Sequence, residues 1–135
     1  MNRIFLILCL MLLSINNLNA DKNGVEFSIL QHVEKMNEQD YSLKPNFGTY
    51  LSQNKVDTHW MTFFSGVEYM ITVVADTGVE NIDLSVHDNM NIEVLKDEDM
   101  SNEVVLTFTP EKTAMYSLLV SIDQNGFYSL NIGFK

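Results

Sequence analysis

Tyr116-Ser117-Leu118-Leu119-Val120-Ser121-Ile122 and Tyr128-Ser129-Leu130-Asn131-Ile132-Gly133-Phe134 place an apolar residue at every second position. Successive side chains of a β-strand point to opposite faces, so each run reads as a strand with one face turned to a core. Working back along the chain, Val104, Leu106 and Phe108 repeat the alternation. Ile82, Leu84 and Val86 do the same against Asp83, Ser85 and His87. Residues 69–75 form a nearly continuous β-branched run, and 59–64 and 92–96 are shorter strand segments. Turn-forming stretches separate them: Ser65-Gly66-Val67-Glu68, Asp76-Thr77-Gly78, Asp88-Asn89-Met90-Asn91, the acidic residues 97–102, and 110–113 opening on Pro110. No helical pattern intervenes between strands. That excludes a parallel α/β sheet and predicts an all-β antiparallel sandwich of seven or eight strands.

The last two strands predict a hairpin. A two-residue loop at Asn125-Gly126 would pair Ile122 with Ser129 and Val120 with Asn131, apolar against polar. A three-residue loop, Gln124-Asn125-Gly126, pairs Ile122 with Tyr128, Val120 with Leu130 and Leu118 with Ile132. Register follows the hydrophobic pattern, so with the two strands taken as neighbours the longer loop is expected, with Gly126 left-handed in a bulge.

The other end of the chain is organised differently. Arg3 precedes the uncharged run Ile4-Phe5-Leu6-Ile7-Leu8-Cys9-Leu10-Met11-Leu12-Leu13-Ser14-Ile15, and Asn16-Asn17-Leu18-Asn19-Ala20 ends on a small residue. This is the layout of a secretory signal over residues 1–20. Its apolar run is shorter than the roughly 20 residues of a spanning helix, so no stable membrane anchor is expected after cleavage. The expected location is secreted or periplasmic. Cys9 is the only cysteine and lies within this leader, so the body has no disulfide and its fold rests on a hydrophobic core. Val25, Ile29, Val33 and Met36 share one helical face and predict a short α-helix over 24–37, with Asn23 as cap and a bland role of packing on the sandwich. Pro45 then breaks any helix that reaches it. The expected organisation is a signal at 1–20, a helix and linker at 21–45, and the sandwich at 46–135.

The formal net charge is −10 and becomes −11 when Arg3 is removed. Such a surface excludes nucleic acid as partner, because neutralising phosphates needs clustered Lys and Arg, and it disfavours anionic lipid. Asp76, Asp83, Asp88, Asp97, Glu98 and Asp99 are the one constellation with site chemistry, since calcium takes six to eight oxygens from loop carboxylates and carbonyls. Asp83, Asp88, Asp97 and Asp99 form the candidate calcium set; a solvated acidic rim is the competing reading, and no Asp-x-Asp-x-Asp-Gly loop is present.

His32, His59 and His87 show no metal-ligand spacing. Asp83, Ser85 and His87 share a strand face, but alternate positions stand about 6–7 Å apart, which predicts an exposed polar face rather than a proton relay. No Gly-x-Ser-x-Gly elbow is present, and no enzyme is expected. Trp60 and Phe64 share a strand face and are expected in the core; an aromatic platform for a sugar or peptide is the alternative. The methionines are scattered filler rather than a copper tract.

Phe64-Ser65-Gly66-Val67-Glu68-Tyr69, Asp83-Leu84-Ser85-Val86-His87-Asp88, Phe108-Thr109-Pro110, Met115-Tyr116-Ser117-Leu118 and Gly126-Phe127-Tyr128-Ser129-Leu130 follow one another in a familiar order and spacing. Over residues 47–134 the sequence resembles a bacterial pre-peptidase C-terminal-like domain. In that family a Gly-x-x-Tyr turn precedes a core strand, an Asp-Leu strand runs into an Asp-Gly-like turn, and a Thr-Pro leads to a Gly-x-Tyr strand. Ala114 and Asn89-Met90-Asn91 depart from the family's glycines. The resemblance implies a jelly-roll-like sandwich of the stand-alone secreted form, in a family where some relatives bind calcium or collagen-like ligands. The expected function is a non-catalytic binding or structural accessory domain of the cell envelope. Its ligand would be an unidentified protein or glycan, held by end loops or an open sheet face. The alternative is a calcium-binding module ordered by its acidic loops, with no other cofactor.

Overall fold

Strands pair first with last. A computed structural model describes residues 28–44 and 46–135; the leader at 1–20, the Asn23 cap, the first residues of the expected helix and Pro45 lie outside the described residues. Helix α1 occupies 28–38 and is followed by β1 (Ser42–Leu43) and β2 (Phe47–Leu51). Then come β3 (Val56–Phe63), β4 (Tyr69–Ala75), β5 (Ile82–His87), β6 (Glu93–Lys96), β7 (Glu103–Phe108), β8 (Ala114–Ile122) and β9 (Gly126–Phe134). β2 pairs with β9, β3 with β8, β4 with β7 and β5 with β6, all antiparallel. The chain is thus one long ribbon, doubled back and wrapped into two sheets. Sheet A runs β1–β9–β4–β7 with β2 also on β9, and sheet B runs β3–β8–β5–β6. This is the jelly-roll arrangement. β1 and β2 occupy successive lengths of one edge of β9: Leu43 faces Gly133, Phe47 faces Leu130, and the Lys44 amide donates to the Ile132 carbonyl between them at 2.8 Å. Nine strands therefore fill eight places, against the seven or eight expected.

The expected hairpin between β8 and β9 does not form. β8 lies in sheet B between β3 and β5, and β9 lies in sheet A against β4 and the β1–β2 edge. Their apolar residues, among them Leu118, Val120, Leu130 and Ile132, belong to one buried core cluster filled from both sheets. The matching periodicities reflect two inner faces, not two neighbours in one sheet. Gly126 is not left-handed either; among the described glycines only Gly66 has a positive φ, 76°. Gly126 is needed for space, because a Cβ there would lie 2.7 Å from Val79 Cγ2 and 2.9 Å from Asp76 Oδ1.

β4 is buried along its whole length. Tyr69, Ile71, Val73 and Ala75 join the inter-sheet core, while Met70 packs on the outer side with Met36 of α1 and with Tyr41. Two polar contacts fasten this cover. The Tyr41 hydroxyl donates to Glu68, which also pairs with Lys135 at 3.3 Å, and His32 Nε2 lies 3.3 Å from Glu103. Glu103 faces Val74 and Phe108 faces Tyr69, so these contacts stand at opposite ends of the β4–β7 pair and α1 spans it. Among the described residues the outer face of sheet A is covered and that of sheet B is open. No helix among the described residues is long and apolar enough to cross a membrane.

The packing at Gly126 is testable. Gly126→Ala is expected to destabilise the fold by about 1–3 kcal/mol, the usual range for overpacking. Gly78→Ala, where the nearest atom to the added carbon is 3.6 Å away, is expected to leave it within about 0.5 kcal/mol. Urea unfolding midpoints of the two variants check this; equal midpoints would refute it.

Candidate functional site

The sandwich has two ends. The upper end carries the turns at 64–68, 88–92 and 109–113, and the lower end those at 76–81, 97–102 and 123–125. The candidate calcium carboxylates are divided between them. Asp83 is the second residue of β5, near the lower end, and accepts from Asn81 Nδ2 at 3.2 Å. Asp88, five residues and so about 16 Å further along the strand direction, stands at the upper end. There its Oδ1 accepts from the amides of Met90 and Ile92, each at 2.9 Å, and closes the β5–β6 turn. Asp97 and Asp99 lie in the 97–102 loop, Asp99 exposed and Asp97 buried with Oδ2 lacking a hydrogen-bond partner among the described residues. Asp76 ties the end of β4 to the start of β9, its Oδ1 accepting from Gly78 N at 3.2 Å and its Oδ2 from Phe127 N at 2.9 Å. Among the described residues no three His, Cys, Asp or Glu side chains group where they could hold a metal ion.

β3 supplies the correction with the largest consequence. Its inward residues are Asp57, His59, Met61 and Phe63, so Trp60 and Phe64, expected in the core, point outward and are 61% and 53% exposed. Phe63 takes the core position instead, with ring centroids 4.4 Å from Tyr69 and 5.7 Å from both Phe108 and Tyr116. One fully packed phenylalanine fixes the parity of the strand, and its lower half is inverted as a result: polar residues in, Trp60 and Val56 out.

The inward polar residues form a network that sequence reasoning missed. Tyr128 of β9 donates its hydroxyl hydrogen to Asp57, and His59 Nε2 lies 2.7 Å from the same oxygen. That hydroxyl has one hydrogen, so Nε2 carries the proton between it and the imidazole. Phe47 of β2 lies against His59, with centroids 5.1 Å apart. Burial, then the hydrogen bond to Asp57 and its charge, raise the Tyr128 hydroxyl well above the ordinary tyrosine range. The available signal was Asp57 and His59 at i and i+2, in phase with Phe63 on a face otherwise apolar.

Outside, sheet B presents rows set by its register: Trp60 beside Ser117 and His87, Thr58 beside Leu119 and Ser85, Val56 beside Ser121 and Asp83. Val56 and Met115 are exposed with Trp60. A shallow depression of about 230 Å³ crosses the lower rows, lined by Val56, Asp83, Ser85, Lys96, Leu119 and Ser121 among others. Ser85 Oγ is 3.1 Å from His87 Nε2, closer than alternate positions on a flat strand allow, because the side chains lean together. His87 Nδ1 faces the Asn91 carbonyl at 3.5 Å and its Nε2 lies 3.9 Å from Glu93, and β5 pairs with β8 on one side and β6 on the other. Its amides serve those ladders, whereas an oxyanion needs free donors aimed at it.

Comparison with solved structures places this architecture. The pre-peptidase C-terminal domain of a collagenase from Bacillus anthracis superposes with a TM-score of 0.55 at 19% identity, over 67% of this chain and 89% of that one. The fold is that of a pre-peptidase C-terminal domain. A periplasmic inhibitor of g-type lysozyme from Aeromonas hydrophila shares it, with a TM-score of 0.52 at 10% identity over 72% of this chain and 90% of that one. No family model matches the sequence, and no curated protein matches it.

On this pre-peptidase C-terminal fold the Tyr128 network has a pH signature. The folded chain keeps the Tyr128 proton at pH values where the unfolded chain has lost it, so the associated stability is complete below about pH 10 and falls above it. Tyr128→Phe is expected to lower stability at pH 7, by about 1–3 kcal/mol for the partners left unmatched. It should also make the alkaline decline shallower, by up to about 1.4 kcal/mol per pH unit for the one missing proton. Urea unfolding at neutral and alkaline pH measures both, and an unchanged alkaline slope would reject the account.

Proposed function

We propose that the protein is a non-catalytic binding domain of the cell envelope, secreted or periplasmic, that holds a protein or glycan on the open face of sheet B around Trp60. The observation that carries this reading is the exposure of Trp60 on a sheet face that no other element covers among the described residues, while the outer face of sheet A lies under α1. An indole in that position is unused by the fold. Covering about 100 Å² of it with a ligand is worth about 2.5 kcal/mol. Val56 and Met115 extend the apolar surface, and Thr58, Ser85 and Ser121 set hydroxyls beside it. The likeness to a lysozyme inhibitor supports a protein as ligand, and the hydroxyl rows support a glycan. The leader at 1–20 and the confinement of cysteine to it support export.

Trp60 is the only tryptophan, so its emission reports this surface alone. The free protein is expected to emit as a solvent-exposed indole and to shift to the blue when the correct envelope fraction is added. Trp60→Ala is expected to unfold within about 0.5 kcal/mol of the parent and to lose capture of that fraction. Equal capture by both proteins would move the binding surface elsewhere.

The second reading is the calcium module, favoured by the buried Oδ2 of Asp97, which has no hydrogen-bond partner among the described residues. Thermal unfolding in chelator and then in millimolar calcium tests it. A site held at 100 times its dissociation constant adds about 2.7 kcal/mol, a shift of several degrees that magnesium should not reproduce. No shift would end this reading and leave the first untouched.

A further inference from the structure

A second cavity, of about 530 Å³, opens at the upper end between β6, the edge of sheet B, and β7, the edge of sheet A. Its size is that of a small-ligand pocket. The aromatic wall is Phe108 and Tyr116, whose rings meet edge to face with centroids 5.3 Å apart. The Tyr116 hydroxyl donates to the Lys112 carbonyl at 3.1 Å, so its one hydrogen is already engaged. Val94 adds an aliphatic side, and Asp88 and Glu111 enter from the β5–β6 and β7–β8 turns. Neither carboxylate belongs to an ion pair among the described residues. Burial first, then the charges of Asp88 and Glu111, raise the Tyr116 hydroxyl, so both carboxylates act on this wall. Lys112 shares the lining and leaves the acidic charge in excess by one.

We propose that this cavity receives an arginine side chain of a basic polypeptide. The chemistry selects it in three steps. Two carboxylates against one ammonium favour a cation and repel phosphate or carboxylate ligands. Aromatic and aliphatic walls favour a cation with an apolar stem over a hydrated metal ion, and Asp88 Oδ1 is already engaged by two amides. A planar guanidinium can stack on a ring while its fork of donors reaches carboxylates on two sides, which a lysine ammonium does less well. The net charge of −10 draws a basic chain toward the same surface over a longer range. This site is distinct from the Trp60 face and stands whether or not that reading does.

The test uses the tripeptide acetyl-Gly-Arg-Gly-amide added to the purified protein at low salt, followed by amide NMR shifts. Its neutral analogue with citrulline in place of arginine is the control for charge, and guanidinium chloride at the same low millimolar concentrations is the control for a free small cation. The arginine peptide is expected to shift residues 88–94 and 108–112 and to bind at least tenfold more tightly than the citrulline peptide. Asp88→Asn keeps the turn-closing oxygen and Glu111→Gln is exposed, so both are expected to fold. Together they should weaken the arginine peptide at least tenfold, and Glu111→Gln alone severalfold. Equal binding of the citrulline peptide, indifference to both substitutions, or shifts centred on residues 97–102 would overturn the proposal. Guanidinium matching the peptide in affinity would overturn the assignment to a polypeptide.

Discussion

The nested pairing of strands governs the molecule. Because β2 pairs with β9, β3 with β8, β4 with β7 and β5 with β6, each ladder except the innermost joins segments far apart in the chain. No strand pair other than β5–β6 can close as a local hairpin, so the ladders depend on one another and on β9, which pairs with β1, β2 and β4. Loop-closure entropy must be overcome before these contacts repay it, and the apolar inner faces are the compensation. The small devices at the lower end serve the same closure. Asp76 fastens β4 to β9 through the Phe127 amide, Asn125 accepts from Gln53 N at 2.7 Å, and Gly126 leaves the space that both strands need.

From this wrapping follows an asymmetry between the two outer faces. β4, central in sheet A, carries Met70, Thr72 and Val74 outward, all buried, and α1 with Tyr41 packs at Met70. The cover fits imperfectly: Thr72 and Asn131, partners across β4 and β9, keep buried polar atoms without hydrogen bonds among the described residues. Sheet B has no such covering element among the described residues. Its central strands β8 and β5 show partly exposed Leu119, Ser85 and His87, and its edge strand β3 shows Trp60. Both cavities open on sheet B or on its edge with sheet A. The exposed indole and these two cavities thus lie on one half of the described surface.

Much of this was legible in the sequence. Period two in β5, β7, β8 and β9, turn residues between them and the absence of intervening helices defined an antiparallel sandwich, and β4 read as a nearly continuous β-branched strand. What failed was information that periodicity does not hold. Alternation tells which face of β8 or β9 is apolar, not whether the other apolar face lies beside it or across the core, and a jelly roll sends consecutive strands to opposite sheets. In β3 the aromatic pair Trp60 and Phe64 competed with Phe63 for the inward phase, and size alone favoured the pair. The aromatic cluster with Tyr69, Phe108 and Tyr116 reversed that choice, and it is assembled from segments that only the fold brings together. The acidic residues were visible along the chain, but their division between the two ends follows from the length of β5.

The inverted half of β3 is where local preference and final structure disagree most. Stability alone favours tryptophan and valine inside and aspartate and histidine outside, since an indole buries up to about 250 Å² and a buried carboxylate must be matched. Here Val56 and Trp60 are out, while Asp57 and His59 are in and need the hydroxyl of Tyr128 to satisfy them. Sequences that specify a fold keep such conflicts few, and those that persist concentrate at working surfaces. The Tyr128 network lies directly behind Trp60 on the same strand, so the polar interior and the exposed indole are two sides of one arrangement. Behind the strand Asp57, His59 and Tyr128 hold one another by hydrogen bonds, and in front Val56 and Trp60 stand exposed, so one phase choice sets both.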